Sequence, residues 1–477
     1  MRIAMVASEA APFAKSGGLG DVMEALPKAL ARMDGNEVWV FLPYYKRIKE
    51  NITYPTELTA EFATGLGWRR QYTGVRRLMW DSPVQVFFID NNYYFGQRDG
   101  SLYGSMDDGE RFAFFSKAVL DAMACIGFRP DVIQCNDWQT AAVPIFLKAQ
   151  YAGQFPGCKS VFTIHNIEYQ GWADAGFFDD VLALPEEFRG KLTMNGSINL
   201  MKGAIEYADA VTTVSETYAR EILYPYYAHG LDGVLSGYTW KLSGITNGID
   251  VDRFDPATDR TLPYNYNADT WPQGKAVCKA ALQREVGLPQ RPEVPVLGMV
   301  TRLAGHKGID LLCYCAERLL QEDLQLVVVG TGEGHYEDFF RDLSYRYPQK
   351  VSAQICFNLR LANLVYAGAD LYLMPSKSEP CGLSQLNAMR YGTVPVVNAT
   401  GGLKDTVPPV DPGAGTGLGF TFQSYNGDDF CGAVLRALDL YRDKGAWGSL
   451  VHRDMCQDFS WNLPAGRYMD LFRRLVG

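Results

Sequence analysis

The chain has 477 residues, which at roughly 150 residues per domain corresponds to two to four domains. Hydrophobic residues make up 47% and charged residues 21%, which excludes a disordered chain. The 45 Lys and Arg against 54 Asp and Glu give a net charge of −9. That balance excludes nucleic acid as the bulk partner, because a phosphate backbone demands a basic face, but it leaves room for a small anion held by a few local cations.

Taken in chain order, β-rich runs at 2–7, 37–42, 84–90, 132–134, 160–164, 210–214 and 242–246 alternate with amphipathic helical patterns such as 21–33 and 109–126. Alternation of this kind predicts a mainly parallel α/β sheet covered by helices on both faces. Residues 252–275 are rich in Pro, Asp and Asn without a sustained period and read as a linker. The alternation then restarts, with strands expected at 294–300, 326–329, 351–355, 371–374 and 394–397 and a helix at 309–320. Residues 408–419 read as a loop, and a closing helix is expected over 462–476. Two doubly wound domains are the economical arrangement. The ten cysteines are scattered without a CxxC pair, which suits reduced core thiols rather than a disulfide framework or a zinc site. With no signal-peptide pattern and no membrane-length apolar run, the expected location is the cytoplasm.

Ligands of open parallel sheets bind at the carboxyl ends of the strands, so the polar residues expected there are the candidates. After the first strand come Ser8 and Glu9, then Lys15-Ser16-Gly17-Gly18-Leu19-Gly20-Asp21 opening a helix. Glycines let a backbone approach a phosphate, and Lys15 supplies a cation; a tight turn with a surface lysine would look the same. Asp137-Trp138 and His165-Asn166 follow later strands, and Asn247-Gly248 ends the last strand of the first half. In the second half, Arg302 and Lys307 follow a strand and suit a diphosphate, one as a planar fork and the other as a compact charge. Gly330-Thr331-Gly332-Glu333-Gly334 lacks the dinucleotide spacing and argues only weakly for NAD. Glu379 stands in Ser376-Lys377-Ser378-Glu379-Pro380-Cys381-Gly382, able to accept from sugar hydroxyls or to be an exposed loop carboxylate, and Thr400-Gly401-Gly402 follows the next strand. The triplet Asp250-Val251-Asp252 is formally a metal motif, but it follows an Asn-Gly turn where aspartate serves turn chemistry, so no metal site is expected.

The motifs KSGGLGD, NDWQT, TIHNIEYQG, KGAIEYADAVTTVSETYAREI, GLDGVL, NGIDVDRFDP, TRLAGHKG, SEPCGL and YGTVPVVNATGGLKDTV stand in the order found in bacterial glycogen synthases and plant starch synthases. The chain resembles that family over essentially its whole length. The resemblance implies the GT-B architecture of two Rossmann-like domains facing across a cleft. It implies an acceptor-side domain over 1–250, a nucleotide-sugar domain over 251–456, and a helix over 457–477 crossing back to the first. The implied reaction transfers glucose from ADP-glucose to the non-reducing-end 4-OH of glycogen or a malto-oligosaccharide, with retention, without a cofactor or metal, and with neither nucleic acid nor membrane as partner.

Carried over by motif, the resemblance implies that Lys15, Arg302 and Lys307 face the diphosphate and sugar. Gly18, Gly401 and Gly402 would contribute backbone donors, and Glu379, Cys381 and Gly382 would lie beside the glucose. Phe357 matches the aromatic that stacks on adenine. His165, Asn166, Asp137 and Asn247 would surround the transferred glucose and acceptor end, with Asp21 and Glu9 nearby. The chain departs from the family pattern at Lys377 and Ser378, where Arg and Phe are usual, at Gln134 for His, at Asn398 for Arg, and near Leu359 for Glu. These departures motivate an alternative, a weakly active glucan-binding or regulatory paralogue; an NAD-dependent oxidoreductase is the third reading.

Overall fold

The computed structural model of the chain describes residues 1–33, 35–98 and 100–477. They form two compact units, Met1–Asn247 with Trp461–Gly477, and Gly248–Ser460.

The first unit is built on strands β1 (Arg2–Val6), β2 (Glu37–Pro43), β3 (Thr56–Leu66), β4 (Arg69–Leu78), β5 (Val84–Asp90), β6 (Val132–Asn136) and β7 (Lys159–Ile164). A small three-stranded sheet of β8 (Trp172–Ala173), β9 (Thr193–Met194) and β10 (Ser197–Asn199) follows, then β11 (Ala210–Thr213) and β12 (Leu242–Gly244). The nine-stranded main sheet has the order β12-β11-β7-β6-β1-β2-β5-β4-β3. Seven strands are parallel, and the inner ones such as β1, β6 and β11 are almost wholly buried, as expected of strands covered on both faces. The β3–β4 hairpin adds two antiparallel strands at one edge. Its segments TELTAEFATGL and RRQYTGVRRL are half exposed, so no apolar run announced them.

The helix Asn462–Val476 belongs to this unit. Trp461, Ala465, Tyr468, Met469 and Phe472 recur at helical spacing and are buried in its core, and Arg467 pairs with Glu216 at 2.7 Å.

The second unit carries β13 (Val296–Val300), β14 (Gln325–Val329), β15 (Val351–Gln354), β16 (Leu371–Met374), β17 (Val394–Asn398) and β18 (Phe420–Phe422). All six are parallel, in the order β15-β14-β13-β16-β17-β18. The stretch expected to be a linker is part of this unit's packing. Tyr266 is buried and donates to the Tyr391 carbonyl at 2.8 Å, and a helix begins at Trp271 and runs to Glu285. From that helix the Lys275 ammonium reaches Thr393 Oγ1 at 2.7 Å. Aromatic burial overrides the polar composition that suggested a free connector.

Glycines at two loop crossings are set by backbone proximity. Gly330 (φ +156°) would place a Cβ 1.8 Å from the Thr301 carbonyl, so the Gly330–Gly334 turn packs against the loop after β13. That contact accounts for its glycine without a dinucleotide. Gly308 (φ +74°) lies against the Pro375 carbonyl, 2.0 Å from where a Cβ would stand. Gly308→Ala should therefore destabilise the protein by more than about 2 kcal/mol in denaturant unfolding, from combined strain and clash. An unchanged unfolding midpoint would show that these loops can separate without cost. No helix among the described residues is long and apolar enough to cross a membrane.

Candidate active site

In each sheet the chain reverses its direction of build-up next to the first strand, between β1 and β6 in the first unit and between β13 and β16 in the second. Loops diverge at such a switch point and leave a crevice at the carboxyl ends of the strands. Most of the candidate residues follow strands at these two points.

In the first unit, β6 ends in Asn136, and Asp137 follows in a conformation (φ 59°, ψ 177°) that side-chain-bearing residues rarely adopt. Strain of this kind costs on the order of 1–3 kcal/mol and persists only where surrounding contacts enforce it. Here Asp137 Oδ1 accepts the backbone N–H of His165 at 2.7 Å and of Asn166 at 3.2 Å, clamping the loop after β7. Burial outweighs those donors and pushes the Asp137 carboxyl up to about 7, with the Glu9 charge adding to the rise. The His165 ring Nε2 lies 2.9 Å from Asn136 Oδ1, and burial pulls its pKa down to about 3, so the imidazole is neutral. Asn166 Oδ1 accepts the Glu168 N–H at 3.0 Å in a local turn. Asn247 is buried, and its Oδ1 meets no donor among the described residues, an open acceptor of the kind a ligand hydroxyl satisfies.

After β1, Glu9 is buried and accepts the Ser16 N–H just ahead of the helix Gly18–Ala31. Burial is the largest influence on Glu9 and raises its pKa. Gly18 is exposed as the first residue of that helix. Lys15, expected as a cation for a ligand, is engaged by Asp21, whose two carboxylate oxygens lie 2.6 and 2.7 Å from Nζ. A diphosphate would have to compete with that carboxylate. Ser8 Oγ lies 2.7 Å from the Tyr103 hydroxyl, and the Ser8 carbonyl accepts from Tyr45 at 2.9 Å.

In the second unit, Arg302 is exposed after β13, and among the described residues no carboxylate is ion-paired with it. Lys307 Nζ lies 2.7 Å from Glu379 Oε2, which also accepts Ser376 Oγ at 3.1 Å. Glu379 is only 7% exposed, so it is not a solvated loop carboxylate. Asn398 Nδ2 donates to the Ser376 carbonyl at 2.9 Å, so at this position the chain uses an amide to brace the loop after β16. Lys377 lies 6.0 Å from the centre of the Tyr425 ring.

Cys381 is buried, and Gly382 (φ +74°) turns the chain into the helix Ser384–Arg390. Gly401 opens a short helix, Gly401–Thr406. The Gly402 N–H, expected as a donor to ligand, is bonded to the Glu379 carbonyl at 3.0 Å. Its contribution is therefore to hold two strand-end loops together. Phe357, after edge strand β15, is 83% exposed and lies away from the switch point in strand order.

Sequence reasoning assigned no role to Asn136, Ser376 or Tyr103. For Asn136 the signal available was an amide ending the strand run VIQCN, since a polar side chain buried there needs a partner. Among the described residues no group of three or more His, Cys, Asp or Glu could hold a metal.

Residues 2–237 match the family model described as the starch synthase catalytic domain, and residues 284–448 match glycosyl transferases group 1. Glycogen synthase of Clostridium beijerinckii is 45% identical over all of both sequences. That of Desulforamulus reducens is 44% identical over 100% of this chain and 99% of its own. Among solved structures, the catalytic domain of starch synthase IV from Arabidopsis thaliana, bound to ADP and acarbose, is 34% identical. It superposes with a TM-score of 0.92 and 99% of each chain covered. Sucrose-phosphate synthase from Thermosynechococcus elongatus, at 19% identity and a TM-score of 0.62 over 99% of this chain and 98% of its own, shares the fold. The chain therefore belongs to the glycogen and starch synthase family, and it is a two-domain GT-B glycosyltransferase that elongates glucan.

Proposed function

We propose that the donor is ADP-glucose, that glucose passes to the non-reducing-end 4-OH of an α-1,4-glucan with retention, and that fixed side-chain cations rather than a metal stabilise the leaving diphosphate. The observation that carries this reading is the full-length likeness to a starch synthase holding ADP and acarbose. In this reading the second unit receives the nucleotide. Arg302 and Lys307 take the diphosphate and Phe357 stacks on the adenine, while Glu379, Cys381 and Gly382 lie along the glucose. The first unit handles the reacting sugar and acceptor through His165, Asp137, Asn166 and Asn247, and Lys15, Gly18 and Asp21 serve the donor.

The physics follows from where charge develops. As the bond from the anomeric carbon to the diphosphate oxygen breaks, negative charge accumulates on the departing ADP. Cations already in place then stabilise the transition state more than the ground state. Among the described residues Arg302 has no carboxylate partner to shed. Lys307 is held by Glu379 and can share its remaining hydrogens with a phosphate oxygen. Glu379, bridged to that ammonium and to the Ser376 hydroxyl through one oxygen, has acceptor capacity left for sugar hydroxyls.

Labelled ADP-glucose and labelled UDP-glucose, each incubated with glycogen, test the donor. Incorporation from ADP-glucose is expected, and its absence alongside measurable glycogen binding would overturn the reading in favour of a glucan-binding protein. A chelator should leave the rate unchanged, whereas a large loss would return a metal to the mechanism.

A further inference from the structure

The last residue of β1, the last residue of β6 and the residue after β7 are joined by one side chain, the amide of Asn136. Its Nδ2 donates to the Val6 carbonyl at 3.0 Å, and its Oδ1 lies 2.9 Å from His165 Nε2. Asn136 is fully buried, so neither end can exchange its partner for water.

The two contacts decide each other. A backbone carbonyl only accepts, so the end of the amide facing Val6 must be the NH2 group, and the end facing His165 must be the oxygen. An amide oxygen also only accepts, so Nε2 must carry a hydrogen. A neutral imidazole has a single N–H, which leaves the lone pair on Nδ1. The neighbouring Asp137 holds the same histidine by its main chain, so residues 136 and 137 fix the ring and the backbone of His165 together.

We propose that Asn136 is a positioning residue that locks His165 in the Nε2–H form, so that Nδ1 accepts a hydrogen bond from a hydroxyl of the sugar being transferred. This rests on the reading that places His165 beside that sugar. The structure supplies the lock. The reversed tautomer would set a lone pair against Asn136 Oδ1 and turn an N–H toward the substrate, where it could no longer accept.

Nitrogen-15 spectra of the full-length protein test the lock without mutation, because the chain has only five histidines and the His165 signal is the one lost in His165→Gln. A protonated Nε2 with an unprotonated Nδ1 is expected. The opposite pattern, or rapid averaging between the two forms, would overturn the proposal. Asn136→Leu removes the acceptor and should mix the tautomers. It should lower kcat about tenfold to a hundredfold with KM changed less than about twofold, since the ligand contact is lost chiefly in the transition state. Asn136→Asp keeps an acceptor and should keep the Nε2–H form and more of the rate. Full activity in Asn136→Leu, with His165→Ala inactive, would reject the positioning role and leave the reading of His165 intact. Full activity in His165→Ala would instead remove that reading.

Discussion

An Arg302→Ala variant should elongate glycogen with kcat/KM lowered about a hundredfold to a thousandfold, while unfolding at the wild-type temperature. In the proposed reading the loss follows from removing a planar donor that meets the charge developing on the diphosphate, where one such group is typically worth that factor. The unchanged stability follows from exposure, since Arg302 has no ion-pair partner among the described residues and its removal leaves nothing stranded. Lys307 gives the contrasting case. Lys307→Ala should lose activity and also on the order of 3 kcal/mol of stability, because the buried Glu379 carboxylate would keep the Ser376 hydroxyl but lose its cation. Pairing Lys307→Met with Glu379→Gln should restore most of the stability and none of the activity. Steady-state kinetics and thermal unfolding on the three variants decide it. Wild-type kcat/KM in Arg302→Ala would remove that residue from the diphosphate.

Asp137→Asn should abolish most activity yet raise stability at pH 8. The amide keeps an oxygen for the His165 and Asn166 N–H groups and removes the buried negative charge. The Asp137 carboxyl is held at about 7 in the folded chain, against an ordinary value of 3.8. Between those values the folded state binds a proton that the unfolded state has released, so wild-type stability falls as pH rises from about 4 to about 7. The variant lacks that slope. Its advantage should be absent near pH 4, grow through the interval, and level off above pH 7 at on the order of 4 kcal/mol. Glucose transfer should drop at least about a hundredfold if the carboxylate works next to the reacting sugar. Parallel pH profiles of unfolding for the two proteins would sink the assignment of a raised carboxyl.

The legible part of the fold was the part that buries both faces of a strand. Val84–Asp90 and Leu371–Met374 were expected with the bounds they have, because a run such as VQVFFID cannot sit anywhere but a covered sheet. The β3–β4 hairpin escaped because only one of its faces is partly covered and its residues are chosen for solvent. The 252–275 stretch misled for the opposite reason, since a few aromatic anchors among many turn residues are enough to pack it.

At the site, residue types and strand ends were readable, and the pairing between them was not. Lys15 was seen as a cation, and Asp21, six residues later, as a separate polar residue. The Lys307–Glu379 contact joins loops 72 positions apart, a distance that only the sheet order closes. Asn136 lay one residue from a chosen aspartate, and its role depends on a carbonyl contributed by a strand 130 residues earlier.

The closing helix has a bearing on how the chain is made. The first unit's core includes Trp461, Tyr468 and Phe472, which leave the ribosome only after the whole of Gly248–Ser460. At about 5–20 residues per second, that second unit takes roughly 10–40 s to synthesise. Throughout that interval the first unit stands complete but for one helix, with the apolar surface that will receive it uncovered. A nascent chain in this state is a natural client for chaperones. Overproduction that outruns them should yield aggregates whose exposed surface is the docking face of that final helix.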